Sequence, residues 1–454
     1  MLARPHLIAA RLLCGLVFFF ITLCNAETNT KQQTPIEIRN IQSAANLGSA
    51  QAQTQLALLY LFGKGTEKNY TLARLWFEAA AKQGFASAQN HLATMYYNEL
   101  GVKRDYGIIL KWDTLAAEQG FAQSQQNLGF LYSNGFGVEK NHFIAVQWYE
   151  KAANQGLITA QVSMGSAYQN GFGVEKNNIK AIEWFRKAAD QGDPVAQHNL
   201  AYHYEQGLGV KQSYSEAITW LKKAAANNYT HSQNTLGTYY AKGLGVAQNQ
   251  IEAVKWYRTA AELGNAEAQS NLATKYFRGE GIPQDIKLSL EWTRKAAAQN
   301  NAQAQFNLGL SYANGLGVEK NLVTAAEWYS LSANQGNTMA LHNLAMMYRL
   351  GEGVVQSYKN AVKLYQIAAF AGEARAQNNL GIMFYQGEGV QQDKPLGFAL
   401  VDYARKKDPT VVVASAYELM EKSLSKTEMA ESNRLLQRME KEQSIQQVVL
   451  EKDL

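Results

Sequence analysis

The sequence predicts an all-α fold, an α-α superhelical solenoid of about ten 36-residue helix-turn-helix repeats with terminal capping helices. Three observations predict it. The phrase NGFGVEKN at Asn134–Asn141 returns at Asn170–Asn177, and NGLGVEKN stands at Asn314–Asn321, so one phrase keeps a metre of 36 residues and its multiples. Stepping by 36 from Leu56 gives Leu92, Leu128, Met164, Leu200, Leu236, Leu272, Leu308, Leu344 and Leu380, ten cycles without an insertion. All eight tryptophans fall on one second track, Trp76, Trp112, Trp148, Trp184, Trp220, Trp256, Trp292 and Trp328, which Leu364 and Leu400 complete.

Each cycle reads as two helices. In the first, Ala52, Leu56, Ala57 and Tyr60 share one face of a 3.6-residue period. In the second, Ala73, Trp76, Phe77, Ala80 and Ala81 do the same. An N-cap residue precedes every second helix: Asn69, Asp105, Asn141, Asn177, Ser213, Asn249, Asp285, Asn321, Ser357 and Asp393. Residues that tolerate the left-handed conformation follow it, from Gly84 through Asn228 and Asn300 to Gly372, with Asp408 before Pro409 as the exception. NGFGVEKN is then the elbow between the two helices. Its second glycine, Gly137, recurs in all ten cycles and points to positive φ or a close backbone approach.

Small residues predict close packing. Ala or Gly follows every track leucine, and Ala80 recurs as Ala in nine of ten cycles, Ser332 being the tenth. Trp and Tyr are expected to fill the space between neighbouring units. One helix pair cannot bury such faces alone, so the pairs must stack.

The compound pattern A-x-A-Q-x-x-L-[GA]-x-x-Y-x-x-G-x-G-V, then A-x-x-W-[FY]-x-x-A-A-x-Q-G, resembles the Sel-one-like repeat (SLR) family, relatives of the tetratricopeptide repeats. The third cycle carries it as Gln125, Leu128, Gly129, Tyr132, Gly135, Gly137, Val138, Ala145, Trp148, Tyr149, Ala152, Ala153 and Gly156. The resemblance covers about 49 to 404. The second cycle departs from it: Glu99 replaces the first elbow glycine, Ile109 replaces Ala, and Asp113 follows Trp112.

Residues 1–26 read as a signal peptide. Arg4 and Arg11 precede the apolar run Leu12–Leu23, and Cys24-Asn25-Ala26 offers small residues for cleavage. That run is short for a bilayer span, so no stable membrane span is expected after cleavage. Both cysteines, Cys14 and Cys24, fall inside residues 1–26. The remaining organisation is an N-terminal half repeat over 27–48, ten repeats over 49–404 and capping helices over 405–454. Net charge is +5 without a basic block, too mild to argue for nucleic acid, so no nucleic-acid partner is expected. The compartment expected is a bacterial periplasm or secretion beyond it. The alternative is a eukaryotic ER lumen, for which the terminal EKDL does not match the retention signal.

The resemblance implies a protein-protein interaction scaffold or adaptor that binds its partner on the concave face, lined by the first helices. The partner would be a cell-envelope enzyme or a host factor. Groove positions lie at −5, −2, +2 and +5 around each track leucine. The apolar ones are Tyr97, Phe130, Tyr202, Phe277, Phe306, Leu310, Met346, Ile382 and Tyr385, the candidate partner anchors. Catalysis is not expected, and neither a cofactor nor a metal is implied. Secreted relatives linked to β-lactam hydrolysis motivate one check: the single S-x-x-K, Ser423 to Lys426, lacks SDN and KTG partners. No histidine makes a zinc spacing. Two alternatives to the scaffold remain, a β-lactam- or cell-wall-active hydrolase and a passive structural spacer.

Overall fold

The computed structural model describes residues 34–412 and 414–452. The expected signal peptide and both cysteines therefore lie outside the described residues. Among those residues there are 24 α-helices and no strand. They form two units, one running up to Tyr229 and one from Thr230.

The first unit starts with a single helix, Pro35–Asn46, whose Thr34 and Glu37 form a reciprocal capping box. Five helix pairs follow, from Ala50–Phe62 with Tyr70–Lys82 to Pro194–Gln206 with Tyr214–Ala226. The second unit holds five pairs, from Thr230–Lys242 with Gln250–Glu262 to Ala374–Gln386 with Lys394–Lys407. A 3-10 turn at Pro409–Val411 and helices Ala414–Ser423, Lys426–Glu442 and Gln446–Lys452 close it. Within each unit a second helix packs against the first helix of its own repeat and that of the next. Pro35–Asn46 packs on Ala50–Phe62 as a preceding second helix would. Lys426–Glu442 packs on Lys394–Lys407 as a following first helix would, burying Leu435, Leu436 and Met439.

The boundaries follow the predicted chemistry. Each of the ten residues before a second helix accepts a backbone N–H with its side chain, Asn69 from Leu72 N at 2.9 Å and Asp285 from Leu288 N at 2.9 Å among them. Such a cap contributes about 1 kcal/mol. Asn228 and Asn300 take positive φ, 57° and 63°, where other repeats use glycine. The elbow's second glycine meets both expected demands. Gly173 has φ 70°, and a Cβ on it would fall 2.1 Å from the His142 carbonyl oxygen of the preceding repeat. The second repeat keeps the elbow despite its departure. Glu99 itself adopts φ 57°, and the first helix ends one residue early at Tyr97.

Two packing devices recur along the repeats. The first is a ring against a small residue. The residue after the tryptophan track is a buried ring in six repeats: Phe77, Tyr149, Phe185, Tyr257, Tyr329 and Tyr365. Four of these rings lie over the glycine of their own first helix. A Cβ on Gly129 would meet Tyr149 at 2.4 Å, one on Gly165 would meet Phe185 at 2.6 Å, and Gly237 and Gly309 face Tyr257 and Tyr329 the same way. This corrects one expectation. Seven of the eight indoles are only partly buried, Trp220 at 5% being the exception, so the neighbouring ring carries more of the core than the tryptophan does. On Trp148, Trp184, Trp220 and Trp292 the lysine three residues on lies over the indole face, 3.9 to 4.1 Å from its centre.

The second device is a glutamine ladder. The motif glutamine of the first helix donates to a carbonyl at the end of the preceding second helix, Gln125 Nε2 to Ala117 O at 3.1 Å for example. Its own oxygen accepts from the glutamine ending its repeat, Gln155 Nε2 at 2.8 Å. Gln53–Gln83, Gln89–Gln119, Gln161–Gln191, Gln269–Gln299 and Gln305–Gln335 repeat the link at 2.7 to 2.9 Å. These carbonyls already accept a backbone N–H, Gly120 N to Ala117 O at 3.0 Å for example, so each rung adds a second bond that ties one repeat to the next.

Candidate functional site

The predicted groove residues divide between the units. In the first unit Tyr97 is 9% exposed, edge-on to Phe130 with centres 6.1 Å apart, and the Arg104 guanidinium covers its other side at 5.3 Å. Phe130 is half-buried and also meets Phe136. Tyr202 is half-buried, edge-on to His203 at 6.1 Å. Tyr97 and Phe130 pack on each other across the second and third repeats, while the ring beside Tyr202 belongs to its own helix.

In the second unit the outcome varies by position. Phe306 is 3% exposed and its ring lies 5.8 Å from Tyr329, so it belongs to the core and offers no exposed anchor. Position −2 turns sideways toward the next repeat. Gln126 reaches Ser163, Asn234 reaches Asn271, and His342 Nε2 lies 3.0 Å from Asn379 Nδ2. Position +2 is more open. Leu310 and Ile382 are half-buried, and Met346 between them is 40% exposed. Phe277 at +5 is 42% exposed. Tyr385 at +5 is half-buried, with its hydroxyl donating to Met420 O at 3.3 Å and bonded to the Ser423 hydroxyl, so Ala414–Ser423 lies beside it.

Sequence reasoning passed over part of this surface. Met339 at 47% and Leu350 at 55% flank Met346 on the same helix, and Val355 in the following elbow is 88% exposed. Met339 sits at −5, so the groove rule already contained it. The ninth repeat also lacks both ladder glutamines, with Leu341 and Ala371 in their places.

The titratable groups serve the fold. Burial lowers His91 to about 4, with its ring stacked on Phe77 at 5.2 Å. Burial raises Tyr365 to about 12, against a hydrogen bond from Asn379. Tyr417 also rises to about 12, through burial first and then its bond to Asp402 at 3.0 Å. Ser423 of the lone S-x-x-K donates to Met420 O at 2.8 Å, an ordinary helix-end bond. Among the described residues no three His, Cys, Asp or Glu gather as metal ligands, and no helix is long and apolar enough to cross a membrane.

The Sel1 repeat model matches residues 50–85, 86–121, 122–157, 158–193, 194–229, 230–265, 266–301, 302–337, 338–372 and 374–406. Among solved structures, the chain is similar to c5321, a protective antigen present in uropathogenic Escherichia coli strains that displays an SLR fold. Identity is 32% over 89% of this chain and 94% of that one, with a TM-score of 0.58. It is also similar to a Sel1 repeat protein from Oxalobacter formigenes, 31% identical over 73% of this chain and 94% of that one, with a TM-score of 0.56. No curated protein matches the chain. Ten matched repeats, the stacked helix pairs and these two relatives establish that the chain belongs to the Sel1 repeat family, as an α-solenoid of about ten units.

Proposed function

We propose that this protein is an extracytoplasmic scaffold or adaptor. It holds a protein partner on the first-helix face of its repeats, the face that tetratricopeptide geometry makes concave. Sel1 repeat proteins generally act in protein-protein interaction and their scaffolds are mostly non-catalytic. The observation that carries the specific reading is the row Leu310, Met346 and Ile382, one side chain per repeat in the same register, with Met339 and Leu350 exposed beside it. Apolar side chains that neighbouring helices leave uncovered gain free energy when a partner removes them from water, about 25 cal/mol per Å². Export is supported by the anatomy of residues 1–26, and with it the division into 27–48, 49–404 and 405–454. A cell-envelope enzyme or a host factor suits that compartment, and one similar protein is a protective antigen.

The test replaces Leu310, Met346 and Ile382 with Ser and leaves Phe306 alone, because Phe306 is core. Helicity by circular dichroism should stay, and the partner crosslinked in the host should be lost. Retained crosslinking removes the groove assignment. Deleting one 36-residue unit separates a passive spacer, for which length alone matters. Turnover of a β-lactam or glycan that disappears in Ser423→Ala would establish the hydrolase instead.

A further inference from the structure

Where six repeats bury a ring, the second repeat buries a carboxyl. Asp113 is 0% exposed. Its Oδ1 accepts from Ser124 Oγ at 2.6 Å and Asn90 Nδ2 at 3.2 Å, and Asn127 Nδ2 lies 3.2 Å from both carboxyl oxygens. The three partners are themselves buried, at 0%, 1% and 3% exposed. They sit on two helices, Ala86–Tyr97 and Ala122–Asn134, so the cluster fastens the second repeat to the third. It is further tied by Asn90 to Ser124 at 3.0 Å and by Gln123 to Asn127 at 3.1 Å.

Every partner is neutral. The titratable groups of the surrounding helices are engaged elsewhere. On Ala86–Tyr97, His91 stacks on Phe77, Tyr97 meets Phe130, and Tyr96 packs in the apolar core. On Ala122–Asn134 the only such group is Tyr132, packed against the third repeat's core. On the carboxyl's own helix, Lys111 lies over Trp112, Tyr106 stacks on Phe136, and Glu118 is exposed. On the flanking second helices, Arg74 is bonded to Glu78 and Lys151 covers Trp148, while Lys82 and Glu150 are exposed. There, Tyr70 lies under Lys68, His142 meets Ser133, and Tyr149 lies over Gly129. An ionised Asp113 would be a buried charge with dipoles around it and no cation, an arrangement that burial penalises.

We propose that this cluster is a pH-sensitive joint: it holds the second and third repeats together while the Asp113 carboxyl is neutral and loosens them once the carboxyl ionises. Burial, the dominant effect, outweighs the three hydrogen bonds and raises the carboxyl from 3.8 to about 7. The folded state therefore keeps its proton to higher pH than the unfolded chain does. The stability it contributes is full below about pH 4 and is lost as pH rises through about 7. Three decades in proton affinity set an upper limit of about a thousand-fold on the change in local opening.

Hydrogen-deuterium exchange on the full chain, at pH 5 and pH 8 with intrinsic rates divided out, reads this directly. Opening of peptides from 86–134 should rise at least about tenfold relative to peptides from 302–373 between the two pH values. In Asp113→Thr that excess should vanish. Thr is accommodated at this register elsewhere, since Thr293 stands there beside Ala273 as Asp113 stands beside Ala93. Asp113→Asn is the neutral second variant, and the wild-type contrast between the two segments stands without either. An equal pH response in both segments overturns the joint. A variant that keeps the wild-type excess overturns it as well.

Discussion

Repeats 1 to 4 and repeat 9 use one backbone for different ends. In the first four, every rung of the glutamine ladder is present, from Gln53–Gln83 to Gln161–Gln191. In the ninth, Leu341 and Ala371 replace both glutamines, while Met339, Met346 and Leu350 are exposed. Regularity marks the residues that bind one repeat to the next. Departure from it marks the places where a side chain is released from that duty. Asp113 is the same lesson inside the core, since a ring position given to a carboxyl no longer serves packing alone.

The comparison breaks most visibly at neighbouring positions of one face. Phe306→Ser should cost about 3–5 kcal/mol, because it empties a buried ring site beside Tyr329. Met346→Ser should stay within about 0.5 kcal/mol. Local exchange protection over 302–350 measures both. If the two cost the same, the division into core and surface is wrong. Next in size is Gln125→Leu, which gives the third repeat the residue that the ninth carries. It removes the two hydrogen bonds that Gln125 makes to Ala117 O and Gln155, although Gly120 N still donates to Ala117 O and Gln155 still reaches Lys151 O, and should cost about 1–3 kcal/mol in denaturant unfolding. The smallest effect is a gain. Asn227 stands where the ladder wants Gln, and the Gln197 side-chain oxygen has no hydrogen-bond partner. Asn227→Gln should restore the rung and add about 0.5–1.5 kcal/mol. No gain would mean that the link is incidental to stability.

Much of the fold was legible because helix boundaries are written locally. An N-cap oxygen and a left-handed residue are properties of single positions, and Asn69 and Gly84 state them outright. The second repeat's three departures were legible as well, but not their outcome. Glu99 pays for a left-handed backbone where a glycine would sit free. The site was read less well. Positions −2 and +2 lie on the same stripe of an isolated helix, and only the neighbouring repeat decides that −2 is covered, as Phe306 is, and +2 left open, as Met346 is. The tryptophan track misled for a related reason. Its strict spacing drew attention to the indoles, while the residue after each, variable among Phe, Tyr, Asp, Leu and Thr, fills the core.

The most direct test of the proposed binding face is site-specific photo-crosslinking in the host. A crosslinker at Met346 or Leu310 is compared with one at Ser166, the same register in the fourth repeat. The account predicts one and the same protein captured from 346 and 310, and none from 166. Equal capture from all three positions, or capture only from Phe143, 63% exposed on the second helix His142–Asn154, would contradict it.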